Sequence, residues 1–129
     1  MEALPLQVTD EGFLEELNLC HTNLTEIPIA IGRLNNLEIL KLQCPFLEMF
    51  PSSLGKLRCL KELTFHLCDK LIRFPESFGE LRHLRTLTIH YAQIEYLPVD
   101  VMQLNNLEIL KVRSCPYLKV IICLPLEKY

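Results

Sequence analysis

His66 and His90 hold the same position in two consecutive copies of a repeated segment, and two imidazoles set side by side have two chemistries open to them. They can begin a zinc site, or they can make binding respond to pH, because adjacent imidazoles disfavour joint protonation. Zinc needs three or four converging ligands, and the row holding the histidines offers only Gln43, Cys20 and Arg113 beyond them. No metal is expected; a weak pH response is. Cys68 and Cys115 share another repeated position, two copies apart, with Ala92 between them. At ~4.8 Å per strand the gap is about 10 Å, beyond the reach of a disulfide. Both are expected to be packing and turn residues. Cys44 comes one position early in its copy, beside Pro45, which leaves its orientation open, and no CxxC pair exists.

Other chemistry-bearing motifs fail on spacing. Gly55-Lys56 is followed by Leu57 and lacks the upstream glycine of a phosphate-binding loop. The chain contains no HExxH and no nucleophile elbow. Glu15, Glu16 and Glu38 fall on the strand flanks of a hydrated face, where a catalytic pKa shift is hard to obtain. The expectation is a protein without catalysis or cofactor.

The elements that position these residues follow from counting. LNNLEILK occurs at 34–41 and again at 104–111, and with Leu14, Leu37, Leu60, Leu84 and Leu107 as starts the steps are 23, 23, 24 and 23 residues. The first repeat has apolar residues at Leu14, Leu17, Leu19, Leu24, Ile27, Ile31 and Leu34, and the next three repeats fill all seven slots again, 28 of 28. A period of this length and fidelity predicts a solenoid of stacked rungs. Within each rung LxxLxL alternates at period two, the pattern of a strand with one face buried. Pro28, Pro51, Pro75 and Pro98 each stand nine residues before the next starting leucine. That leaves room for barely two helical turns, so the return path is a short helix or a 3-10 segment, with proline at a first helical position or in a tight turn.

The rungs predicted are 14–36, 37–59, 60–83, 84–106 and 107–121, with 1–13 an incomplete first repeat and 122–129 a C-terminal tail. Pro5 stands nine residues before Leu14 as the later prolines stand before their leucines, and beyond Ile121 the grid falls on Pro125 and Lys128. Neither end carries a recognisable polar cap beyond Asp10, Glu11, Glu127 and Lys128. Uncapped rungs leave apolar filling in water, which predicts a marginally stable fragment of something longer or end-to-end self-association.

Composition narrows the class further. The chain has 129 residues, 50% hydrophobic and 22% charged, which suits one domain. Its net charge of -3 and pI near 5.8 give no basic field for a phosphate backbone, so nucleic acid is not an expected partner. MEALPLQVTDEGF lacks the features of a secretory signal, and VIICLPL is too short to span a bilayer, so no membrane association is expected. The expected location is cytoplasmic, where the six cysteines stay reduced.

LxxLxLxx(N/C)xL followed by xxLPxxIGxLxx resembles the leucine-rich repeat, across residues 14–121. The resemblance implies an α/β solenoid with about five parallel strands on its concave face and short helical or 3-10 segments on its convex face. The proline-containing halves look like the intracellular repeats of Ras-group scaffolds. HLCDKLIRFPESF and SCPYLKVI resemble the C-terminal repeats of plant nucleotide-binding disease-resistance receptors (NLR proteins), a family that often puts a cysteine at the strand exit, where Cys68 and Cys115 stand. The implied function is a protein-protein interaction module, a ligand-sensing or autoinhibitory segment of a plant immune receptor. Its partner would be a pathogen effector or the receptor's own switch domain. The alternative is a free-standing Ras-group scaffold that holds a signalling partner.

Outward-facing columns follow from the grid: Glu16, Ile39, Glu62, Thr86, Ile109; Asn18, Lys41, Thr64, Thr88, Lys111; and Cys20, Gln43, His66, His90, Arg113, flanked by His21, Cys44, Leu67, Tyr91 and Ser114. Parallel sheets are normally covered on both faces, whereas this one shows polar columns with isolated apolar spots. The expected partner-binding residues are Ile39, Lys41, Gln43, His66, Leu67, Thr88, His90, Tyr91, Ile109, Lys111 and Arg113.

Overall fold

Leucines spaced three and then two apart can all face one way only if the last three positions are extended, and the chain forms a five-residue strand there in every repeat. The computed structural model describes residues 14–20, 22–71, 74, 76–95 and 104–118. The strands are β1 (Glu16–Cys20), β2 (Ile39–Gln43), β3 (Glu62–His66), β4 (Thr86–His90) and β5 (Ile109–Arg113), all parallel, in one sheet of order β1-β2-β3-β4-β5. The register matches rung to rung: Leu17, Leu40, Leu63, Leu87 and Leu110 form one row, and Leu19, Leu42, Phe65, Ile89 and Val112 the next. The terminal segments 1–13 and 119–129, and with them the expected self-association of the ends, lie outside the described residues. So do Pro75, Pro98, Leu97, Val101 and Ile121.

Among the described residues the return paths are 3-10 turns, η1 (Ile29–Arg33), η2 (Ser52–Lys56) and η3 (Glu76–Glu80). Pro28 and Pro51 do not occupy the first helical position. They stand one residue ahead of it, extended, with ψ of 148° and 154°, and their carbonyls accept from Ile31 and Leu54 N–H at 3.1 Å. A proline also keeps its predecessor out of helical geometry, so Ile27 and Phe50 remain free to point inward before the turn begins. Each turn closes with a tight reversal. Leu34 and Leu57 take inverse γ geometry, φ -79° and ψ 73° and φ -76° and ψ 76°, with Asn35 N–H donating to Arg33 O and Arg58 N–H to Lys56 O at 2.8 Å. Neighbouring returns pack against each other through glycine. A Cβ on Gly55 would lie 2.5 Å from Ser77 O, and one on Gly32 would lie 2.9 Å from Ser53 Cβ.

Between sheet and returns lies the core. Leu40, Leu63 and Leu87 are wholly buried, as are Leu37, Leu60 and Leu84, and each buried leucine contributes about 1.5–3 kcal/mol of burial free energy. Among the described residues the expected slots are filled, with Leu14, Leu17, Phe74, Val112 and Leu118 only partly covered. A phenylalanine row runs through the second and third rungs: Phe50 to Phe65 at 5.1 Å, Phe65 to Phe74 at 5.5 Å and Phe74 to Phe78 at 5.1 Å between ring centroids.

Strand exits differ between rungs. Leu67, Tyr91 and Ser114 follow their strands with φ of 54°, 58° and 56°, the left-handed region, which costs a non-glycine residue about 1–2 kcal/mol. The extra residue lets pairing run one step further, Leu67 N–H to His90 O and Tyr91 N–H to Arg113 O at 3.0 Å, and turns Cys68, Ala92 and Cys115 inward. Cys44 follows β2 with no such residue and is buried, so it belongs to the interior and not to the outward flanking column. The register of β2 with β3 accordingly ends at Leu42 and Phe65. The Cys44, Cys68 and Cys115 thiols all reach the equivalent carbonyl of the rung before, Leu19 O at 3.5 Å, Leu42 O at 4.0 Å and Ile89 O at 3.9 Å. Each of these cysteines then opens a four-residue turn, with Leu47, Leu71 and Leu118 N–H donating to its carbonyl at 3.1 Å.

Candidate functional site

Strand alternation that buries the leucine rows must send the intervening residues outward, and the sheet's register sorts them into three columns. Glu16, Ile39, Glu62, Thr86 and Ile109 pair in sequence, then Asn18, Lys41, Thr64, Thr88 and Lys111. Cys20 pairs with Gln43 and His66 pairs with His90 and then Arg113, the one break falling between Gln43 and His66 where β2 exits early. Nine of the eleven residues expected at the partner surface lie on β2 to β5, and the other two, Leu67 and Tyr91, stand directly beyond β3 and β4 with left-handed backbones. Ile39, Lys41, Gln43, His66, Leu67, Thr88 and His90 are half-buried, while Tyr91, Ile109, Lys111 and Arg113 are exposed.

Within the patch three groupings stand out. Lys41 Nζ lies 3.9 Å from Glu16 Oε2, both about half exposed, a screened pair worth about 0–1 kcal/mol. His66 is met edge-on by two rings, His90 at 5.9 Å and Tyr91 at 5.6 Å between centroids, with interplanar angles of 70° and 88°. Lys111 and Arg113 stand two residues apart on β5, on the same face and exposed.

The histidine pair is not equivalent. Nε2 of His90 is buried without a hydrogen-bond partner, and burial first, then the positive charges of Arg113, His66 and Lys111, hold its imidazole below the usual pKa of 6.5. Among the described residues no three histidine, cysteine or acidic side chains converge as metal ligands. The cysteines beneath the patch are poor nucleophiles: burial raises the Cys44 thiol, and pushes Cys68 up to about 11.

Two exposed side chains lie in the turns beyond the strands, where column counting does not reach. Phe46 is exposed in the turn after Cys44, and Lys70, in the equivalent turn after Cys68, holds its ammonium 6.0 Å from the Phe46 ring centroid. The CPFL and CDKL strings carry the only sequence signal for them, since the two turns are stacked by the same cysteine slot. A separate depression lies where the returns lead back into the sheet, lined by Gly55, Arg58, Glu80, Arg82 and His83. Among the described residues no helix is long and apolar enough to cross a membrane.

No family model and no curated protein sequence matches the chain. Solved structures do. The leucine-rich repeat domain of the type III effector XopL is similar with a TM-score of 0.80 at 24% identity, over 91% of this chain and 50% of that one. The plant peptide hormone receptor RGFR1, in complex with RGF2, gives 0.69 at 20% identity, over 93% and 22%. The leucine-rich repeat ectodomain of the receptor kinase SOBIR1 from Arabidopsis thaliana gives 0.58 at 17% identity, over 93% and 67%. The chain thus spans half the length of the effector domain and 22% of the peptide receptor. These similarities and the five-stranded parallel sheet make the fold a leucine-rich-repeat solenoid.

Proposed function

We propose that the outward face of the sheet docks a protein, and that the chain is a ligand-sensing or autoinhibitory leucine-rich-repeat segment of a plant immune receptor, acting in the cytoplasm. The observation that carries the docking reading is a parallel sheet whose outward face is covered by no described element and bears apolar side chains, Tyr91 and Ile109 above all, among polar columns. A bound protein would supply the cover that such a sheet ordinarily has. Its identity would be a pathogen effector or the receptor's own switch domain. The cysteine-opened turns CDKL and CPYL favour the immune-receptor assignment, and RGFR1, which shares the fold, is seen in complex with RGF2.

The proline-opened returns, IPIAIGRL and FPSSLGKL, favour a second reading, a free-standing Ras-group scaffold for a signalling partner. A nucleotide-binding domain encoded just upstream of Met1 would separate the two in favour of the receptor. The docking face itself is tested by affinity capture from a plant extract with wild type and with Lys41→Glu, Lys111→Glu and Arg113→Glu combined. Loss of partners from the variant is the expected result; identical partner lists would remove the assigned surface.

A further inference from the structure

Charge is unevenly spread along the docking face. Toward β1 the cations are matched: Lys41 faces Glu16 at 3.9 Å, and at the strand entries Lys61 faces Glu38 at 3.7 Å. Across β4 and β5 the outward residues are Thr86, Thr88, His90, Ile109, Lys111 and Arg113, with no acid among them. The described ion pairs include neither Lys111 nor Arg113; the nearest acids in the register are Glu62 on β3 and Glu108, just ahead of β5. Two like charges two residues apart on one strand stand about 6.6–6.8 Å from each other. Beside them Nε2 of His90 lacks a hydrogen-bond partner, and Tyr91 is half exposed with its backbone held at φ 58°.

We infer that this end of the docking face takes an extended partner segment with carboxylates at alternate positions, seated on Lys111 and Arg113, and an apolar side chain against Tyr91. In an extended segment residues i and i+2 point the same way with the same ~6.6–6.8 Å spacing, so an acid-x-acid pair matches the two cations without distortion. The chain as a whole carries -3, so an acidic partner gains nothing from long-range attraction and the selectivity is local to the patch. The inference rests on the docking reading and specifies its chemistry.

The test uses the full chain and two fluorescein-labelled ten-residue probes, one alternating glutamate with valine, the other lysine with valine, followed by anisotropy and by amide shifts. The glutamate probe should bind, shift the amides of Tyr91, Lys111 and Arg113, and weaken when salt rises from about 0.05 to 0.5 M. Lys111→Gln with Arg113→Gln should weaken it about tenfold with the circular dichroism spectrum unchanged. The lysine probe should not bind. Equal binding by the neutralised variant, no preference between probes, or shifts confined to Arg58, Arg82 and His83 would overturn the acid preference. If the captured partners are still lost on reversing the face while the glutamate probe fails, docking stands and its acidic chemistry falls. Identical partner lists would instead remove the surface itself.

Discussion

Gly55→Ala sets local backbone preference against packing between rungs. Gly55 has no positive φ, so alanine fits its backbone, and reduced freedom of the unfolded chain alone would stabilise the protein by about 0.4–1 kcal/mol. The folded structure opposes this. The new Cβ would lie 2.5 Å from Ser77 O and 2.7 Å from Ser77 Cβ, about 1 Å inside ordinary contact, so η2 and η3 must separate. Separation also stretches the 2.6 Å hydrogen bond from Ser77 Oγ to Ser52 O, which is worth about 1 kcal/mol. Overpacking of this kind costs about 1–3 kcal/mol, so the net effect is destabilisation by about 1–2 kcal/mol. With an m-value of about 2 kcal/mol/M, the urea midpoint followed by far-UV circular dichroism falls by about 0.5–1 M. Gly32→Ala should lose less, because its nearest neighbours lie at 2.9 and 3.0 Å. Adding Ser77→Gly should restore less than half of the loss, since the closest clash is with a main-chain oxygen. A midpoint for Gly55→Ala at or above wild type would refute the claim that the returns already stand at closest approach.

Phe65→Ala, at a wholly buried ring between Phe50 and Phe74, should cost about 3–5 kcal/mol in urea unfolding; a loss below about 1 kcal/mol would show that the phenylalanine row is not tightly packed. In the native protein at pH 8 a maleimide should label Cys20 and Cys59, which are partly exposed, well ahead of Cys44 and Cys68, read out by peptide mass mapping. For His90 the folded pKa lies below the unfolded one, so the unfolded chain binds more protons between the two. Its contribution to stability is complete above pH 6.5 and is lost as pH falls from there through the lowered folded value. An NMR titration should find His90 below 6.5 and rising toward it in Arg113→Ala; no movement in that variant would sink the assigned influence of Arg113.

Much of the solenoid is legible in the amino-acid order because its contacts are made at one sequence separation. Leu40 meets Leu17 and Leu63 for the same reason that all three sit at the fourth position of their rungs, so finding the period is finding the register. The outward columns come with it, and Lys111, Arg113, His66 and His90 stand where alternation puts them. Position did not reveal condition. That Lys41 reaches diagonally to Glu16, while Lys111 and Arg113 face no described carboxylate, depends on side-chain directions across three columns. Nor does counting single out His90 as the imidazole whose Nε2 is covered.

The sequence by itself determined the rung, the strand in it and the leucines that fill it, because each apolar slot recurs at a spacing that only stacked parallel strands can bury together. Tertiary structure decided how each strand is left. Among the described strand exits a 23-residue rung arises in two ways, with the cysteine-opened turn and no left-handed residue after β2, or with Tyr91 left-handed and the shorter Ala92-Gln93-Ile94 link after β4. The third rung combines a left-handed residue, Leu67, with a cysteine-opened turn at Cys68 and has 24 residues. Equal lengths conceal these different routes, and what separates them is a fit to the carbonyl of the rung before: Cys44 turns inward to Leu19 O one position earlier than Cys68 turns to Leu42 O. That fit exists only once the rungs are stacked.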